Sequence, residues 1–523
     1  MKKGIYPAVM VLWLLTGCDQ RAPKADSSDH QEPPNIVYIL ADDLGYGDVS
    51  IYNPASKIST PNIDRLAVEG IRFMDAHAPS SVCTPSRYGI LTGRYCWRSR
   101  LPQGVLRGYG RALIAENQLT IGTLLRQYNY TTAAIGKWHL GLNWVVKKGH
   151  EHALQLRENN ADHARIITDM DTSDIVFSQP VEDGPREHGF DYSYILPASL
   201  DMPPYGYLRN DTLTAFLSAE TKGNEVHDKD SPNYAVGAFW RPGKMAATFD
   251  FEQVLPGFTD HAIDYIRQQA HATKPFFLYF AMPAPHTPWL PAKAYNGKSG
   301  AGLYGDYVTM MDDMVGKVLQ AIDSSGLSSN TIVIFTSDNG PYWRPSSIEK
   351  YNHRAAGIYR GMKADIWEGG HRVPFIVRWP SKIKAGSSSN ITTTLTNLIA
   401  TCSELVGGPK RVKSAIDSYS ILPALLGTQD TADIPQIVIH ESSQGMYAIR
   451  QGPWKFIDGL GSGGFSPPVS EAPVPNGPKG QLYHLGDDPS ESKNLYLDHP
   501  DKVNLLKRLL DSIRDTTQMN HEK

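Results

Sequence analysis

Residues 35–48 read NIVYILADDLGYGD. An apolar run, Ile36 to Leu40, follows Pro34 and ends just before two aspartates. A run this short, apolar at successive positions, predicts a strand buried on both faces, as in a parallel sheet. Working outward, similar runs lie at 131–135, 276–282, 331–336 and 375–379, with helical patterns at 119–128, 261–269 and 307–323. Thr60 and Pro61 fit the N-cap and first turn of a helix that Gly70 stops. Strands alternating with helices predict an α/β fold: a large, mostly parallel mixed sheet flanked by helices. After about residue 383 the pattern changes. Helical stretches at 392–405 and 420–426 precede short strand-like runs at 436–441, 446–450, 454–457 and 481–485, then an amphipathic helix at 501–516. This predicts a smaller C-terminal α+β subdomain.

The bulk properties fit a globular protein. Of 523 residues, 41% are hydrophobic and 20% charged, and the net charge of −3 offers no basic face for nucleic acid. The first residues stand apart. Lys2 and Lys3 precede an apolar run, Ile5 to Leu15, too short to span a bilayer. It ends in Leu15-Thr16-Gly17-Cys18, which resembles a bacterial lipobox. The resemblance implies cleavage before Cys18, lipidation of Cys18 and a membrane-anchored, exported protein on the periplasmic or cell-surface side. An exported chain permits disulfides. With Cys18 lipidated, Cys83, Cys96 and Cys402 remain, an odd number that asks for an explanation.

In open α/β sheets, ligands sit beyond the carboxyl ends of the strands. Four predicted strands deliver polar clusters there: Asp42-Asp43, Lys137 and His139, His286, and Asp338-Asn339. Asp42, Asp43, Asp338 and Asn339 offer hard oxygen ligands suited to Ca²⁺ or Mg²⁺. Lys137, His139, His286 and Lys363 form a complementary set of cations and proton donors, fit to hold an anion and protonate a leaving group.

Cys83 stands in SVCTPSRYGILTGRY, residues 81–95. Cys83-Thr84-Pro85-Ser86-Arg87 with Leu91-Thr92-Gly93-Arg94 resembles the C-x-P-x-R signature of the type I sulfatases of the alkaline phosphatase superfamily. The likeness extends through 136–141, 188–191, 285–288, 337–340, 360–363 and 368–374, and covers roughly residues 35–495 in order. It implies that Cys83 is oxidised to formylglycine by a maturation enzyme. It implies that Asp42, Asp43, Asp338 and Asn339, with residue 83, hold one Ca²⁺, and that Arg87 stabilises the aldehyde hydrate. Lys137 and Lys363 would hold sulfate, His139 would contact residue 83, and His286 would protonate the leaving alcohol. A hydroxyl of the hydrate attacks sulfur, and the second hydroxyl then expels sulfate; a serine would remain as a stable ester. The resemblance divides the chain into a leader (1–17), a lipidated tether (18–34), a catalytic domain (35–385) and a C-terminal part (386–523). Asn397 and Ala400 depart from the family pattern in a segment away from the site. Cys96 and Cys402 are left as an even pair, bonded or free.

The expected function is therefore an exported sulfatase acting on a sulfated poly- or oligosaccharide. A formylglycine-dependent phosphodiesterase or phosphonate monoester hydrolase, and an inactive carbohydrate-binding lipoprotein, are the alternatives. Residues 341–359 join Asp338-Asn339 to Lys363, which predicts a loop over the pocket rim. Within it Trp343, His353 and Arg354 are the expected sugar-binding residues, with 201–205 as the opposite rim.

Overall fold

The structure, a computed structural model, describes residues 1, 33–154, 169–224, 227–228, 231–235, 237–428, 431 and 434–516. The leader, Cys18 and the tether as far as residue 32 lie outside them.

Strand Asn35–Asp42 occupies the middle of the sheet, and all eight of its residues are buried. It pairs in parallel with Phe276–Pro285 on one side and Thr331–Ser337 on the other. Beyond Phe276–Pro285 come Thr131–Lys137 and Tyr192–Leu196, again parallel. Beyond Thr331–Ser337, Phe375–Arg378 runs antiparallel, so the ten-stranded sheet is mixed at its flanks. Alternation sends Ile36, Tyr38 and Leu40 to one apolar cluster and Val37, Ile39 and Ala41 to the other. Helices Cys83–Thr92, Ile121–Gln127 and Leu398–Leu405 pack in the first cluster; Val254–Gln269 and Gly302–Ser324 pack in the second. Each run read as a doubly buried strand is therefore a strand. Tyr192–Leu196 gave no such signal: its sequence YSYIL alternates between half-buried and buried positions, with no continuous apolar run.

Helix Cys83–Thr92 is unusual in having all ten residues buried. It has no exposed face: residues 395–405 pack along it, and Cys83 and Arg87 reach the strand ends at Asp42 and Asp338. Gly93 ends it in the left-handed region at φ 64°, where a Cβ would stand 2.7 Å from that of Ala415. Cys96 and Cys402 are buried free thiols.

The C-terminal subdomain is a four-stranded antiparallel sheet of Ile437–Glu441, Tyr447–Gln451, Trp454–Ile457 and Gln481–His484. Helix Pro500–Asp515 covers it through Val503, Leu506 and Leu510. A buried polar seam joins this sheet to the main one. Lys455 reaches Glu368 at 3.1 Å and Glu491 at 2.8 Å, and Arg450 and Arg372 each reach Asp75 at 2.7 Å. Threaded among these charges are His77, His371 and His440. The first two share a 3.2 Å contact between Nδ1 atoms, and the last two stack with centroids 3.6 Å apart. Burial lowers the basicity of all three, and Lys455 lowers that of His371 and His440 further.

Neutral imidazoles are thus built into the seam. An unfolded chain protonates them near pH 6.5 (about the free value), whereas the folded chain does so only at lower pH. Stability is therefore complete above about pH 6.5 and declines as pH falls toward the folded values. Each histidine that titrates in this way contributes a slope of about 1.4 kcal/mol per pH unit. Urea midpoints should fall between pH 7.5 and 5.5 in the wild type and fall less in His440→Gln. Parallel pH dependence in the two proteins would show that the seam does not sense protons.

Candidate functional site

The site forms where the parallel strands end. Asp42 is the last residue of strand Asn35–Asp42, and Asp43 follows at φ 67°, a conformation that turns successive carboxylates into one pocket. Asp338 and Asn339 follow the adjacent strand Thr331–Ser337. The two strand ends lock together: the Asp43 N–H donates to Asp338 Oδ1 at 3.2 Å, and Asn339 Nδ2 donates to Asp43 Oδ1 at 2.7 Å. Lys137 is the last residue of strand Thr131–Lys137, rather than the loop residue its sequence suggested. His286 follows strand Phe276–Pro285.

Cys83 is the first residue of the buried helix, and its Sγ lies 3.5 Å from Asp42 Oδ1. Arg87, one turn on, is fully buried and grips Asp338 Oδ2 through Nε at 2.9 Å and Nη2 at 2.7 Å. Its Nη1 donates to the Lys137 carbonyl at 2.9 Å, which ties the helix to the strand. Lys137 Nζ donates to Asp42 Oδ2 at 2.7 Å, and Lys363 Nζ to Asp43 Oδ2 at 2.8 Å. Asp42, Asp43 and Asp338 thus face Arg87, Lys137 and Lys363, with full formal neutralisation inside the protein.

This pairing sets the proton inventory. Burial alone would raise Asp42, but Lys137, His286 and Arg87 hold it well below the usual carboxylate range. Burial pushes the Cys83 thiol far up, so it is a protonated thiol rather than a thiolate nucleophile. Burial, followed by Lys137 and Arg87, keeps His139 neutral. The His139 Nε2 meets the Leu106 carbonyl at 2.8 Å, while its buried Nδ1 has no hydrogen-bond partner. His286 Nε2 stands 3.7 Å from Asp43 Oδ2, and its Nδ1 meets the Thr287 carbonyl at 2.5 Å and Ser199 Oγ at 3.3 Å.

Asp42, Asp43, Cys83, Arg87, Lys137, His139, His286, Asp338, Asn339 and Lys363 therefore share one site. Ser199 was not anticipated, because the strand before it was not. Asp201, expected at the rim, is buried beside His286, with Oδ1 4.0 Å from its Nδ1.

On the other rim, Trp343 and His353 are buried, and Trp343 lines a small cavity together with Arg354 and Met362. Trp343 packs against Tyr304 at 4.8 Å and donates from Nε1 to the His353 carbonyl at 2.9 Å. His353 is buried against Asp48, Nε2 to Oδ1 2.7 Å. Residues 341–359 contain a short helix, Pro345–Tyr351, and their return is anchored inward by these two rings. Of the three expected sugar-binding residues, Arg354 alone is exposed.

Comparison with known proteins agrees with this geometry. The family model described as Sulfatase matches residues 34–408. An N-acetylgalactosamine-6-O-sulfatase of Bacteroides thetaiotaomicron is 33% identical, with 98% of each chain covered. Arylsulfatase A of Bos taurus is 31% identical over 90% of this chain and 85% of its own. A solved structure from work on the metabolism of multiple glycosaminoglycans by Bacteroides thetaiotaomicron is 31% identical. It superposes with a TM-score of 0.75 over 92% of this chain and 99% of that one. The family match spans the metal-type acids, Cys83 and both lysines, and the relatives match nearly the full length, so the chain belongs to the sulfatase family and is a sulfuric ester hydrolase.

Proposed function

We propose that this sulfatase removes sulfate from sulfated saccharides, using formylglycine made from Cys83 and a calcium ion. The observation that carries the reading is the buried meeting of three carboxylates, three cations and two histidines around Cys83. A thiol held protonated by burial is a poor nucleophile, which supports a modified residue 83. The relative covering 98% of this chain is named for N-acetylgalactosamine 6-sulfate, so sulfated hexosamines are the first substrates to test. The relatives' names favour sulfate over phosphate esters, and the convergence of the candidate catalytic groups counts against an inert binding protein.

Asp42, Asp43, Asp338 and Asn339 fit a hard divalent cation. Their donors are all oxygens, and the buried Asn339 Oδ1 has no hydrogen-bond partner. When bound, calcium supplies the positive charge that polarises sulfate oxygens. Formylglycine supplies, in its hydrated form, the hydroxyl that attacks sulfur. The chain's own residues do the rest. Lys137 and Lys363 bind sulfate oxygens and offset charge that builds in the transition state. Arg87 orients Asp338 and residue 83 from the same helix. His286 donates from Nδ1 to the Thr287 carbonyl, and as the imidazolium it would carry a second proton, on Nε2, to give to the leaving alcohol. His139, held by Leu106 at Nε2, has an unpartnered Nδ1 that would meet the hydrate of residue 83.

The leader and Cys18 support export and lipid anchoring, with the maturation enzyme as an earlier partner. Cys18→Ala should move the protein from the membrane fraction to the soluble fraction; retention in the membrane would refute the anchor.

Cys83→Ala should keep a native far-ultraviolet circular dichroism spectrum and lose sulfate release entirely. Mass spectrometry of the tryptic peptide ending at Arg87 should show the aldehyde, and a free thiol in fully active protein would end this mechanism. Chelation should abolish most turnover and Ca²⁺ should restore it. Recovery with zinc alone would overturn the calcium assignment.

A further inference from the structure

We infer that Arg241, held in place by Asp201, reads a hydroxyl of the saccharide that bears the sulfate. The inference rests on the sulfatase reading of the site and concerns its His286 side.

Three segments outside the sheet meet beside His139 and His286. The Leu106 carbonyl accepts from His139 Nε2, and Gly108 leaves room for the Pro203 carbonyl, which would lie 2.0 Å from a Cβ there. The Gly237 carbonyl accepts from Thr287 Oγ1 at 2.8 Å and from the Trp289 N–H at 2.7 Å, next to His286. Arg241 joins the third segment to the second: its N–H donates to the Asp201 carbonyl at 3.1 Å, and its carbonyl accepts from Tyr205 Oη at 2.7 Å.

The side chain is equally constrained. Nη1 donates to Asp201 Oδ2, and the guanidinium lies 5.1 Å from the Phe239 ring centre. Yet the side chain keeps 36% of its surface exposed, whereas that of Asp201 keeps 4%. An arginine held at its backbone and at Nη1 has already lost part of the rotamer freedom that binding would otherwise cost. Among the described residues, no hydrogen-bond partner engages Nε or Nη2. Asp201 stands 4.0 Å from His286, so these free donors are within one sugar's reach of the proton donor. Asp201 also offsets the arginine's charge, which suits the remaining N–H groups to a neutral hydroxyl rather than to a second anion.

A bland account would make Arg241 only the counter-ion of Asp201. The two accounts differ in what changes on truncation. In Arg241→Ala, the ratio of kcat/KM on a 6-sulfated N-acetylhexosamine to kcat/KM on 4-nitrophenyl sulfate should fall at least tenfold. The fall should be carried by KM on the sugar substrate, since binding is lost and proton transfer is not. Arg241→Lys should recover only part of the ratio, because a point charge lacks the fork. An unchanged ratio overturns the proposal, whether both activities fall or neither does. So does a fall carried by kcat, which would mean that Arg241 acts through Asp201 on His286. A wild-type enzyme inactive on both substrates would instead retire the saccharide sulfatase reading, and the inference with it.

Discussion

Asp42, Asp43 and Asp338 are taken out of water only because Arg87, Lys137 and Lys363 are taken out with them. Dehydrating any one of these charges alone would cost several kcal/mol (a rough figure for a relaxed protein), and removing one member leaves its partner stranded. The fold around them follows from this need. Parallel strands place several backbone ends at one edge, so acids from two strands and a lysine from a third can meet without a long loop. The wholly buried helix Cys83–Thr92 brings the guanidinium to the middle of the group, and the apolar clusters on both faces of the sheet hold the strands in register. Neutrality within the cluster also leaves it poised. A divalent cation among the carboxylates would free the lysine ammonium groups to meet an incoming anion.

Much of this could be read along the chain because it is encoded locally. Apolar runs such as 36–40 and 331–336 are strands wherever both faces are covered, and the polar residues that follow them reach the same edge by topology alone. What could not be read depends on distant partners. Nothing within 341–359 indicates that Trp343 will lie on Tyr304 or that His353 will hold Asp48, since those contacts are made with another helix and with the first strand's loop. Aromatic and basic residues in a loop between two site motifs look alike whether they face sugar or core. Ser199 was hidden for the opposite reason. It follows a strand too short and too half-buried to declare itself, so its position beside His286 had no local sign.

The C-terminal sheet is more than an appendage to the active site. Glu491 reaches back to the Glu368 N–H at 2.6 Å, and the Ser81 N–H, two residues before Cys83, donates to the Glu441 carbonyl at 2.9 Å. The Ala364 N–H, next to Lys363, donates in turn to the Ser81 carbonyl at 2.8 Å. Residues beyond the 34–408 family match therefore brace both the helix that starts at Cys83 and the lysine facing it.

That bracing imposes an order in time. Cys83 lies near the start of the chain, but the groups that wall it in come from residues 338, 363 and 441, so the thiol cannot be enclosed until most of the polypeptide has been made. Once enclosed it is 2% exposed, inside a helix with no open face. Any macromolecular catalyst that alters this side chain must reach it before the chain folds around it. A chain that folded first would stay as it was, a stable protein with a thiol that no later encounter could correct.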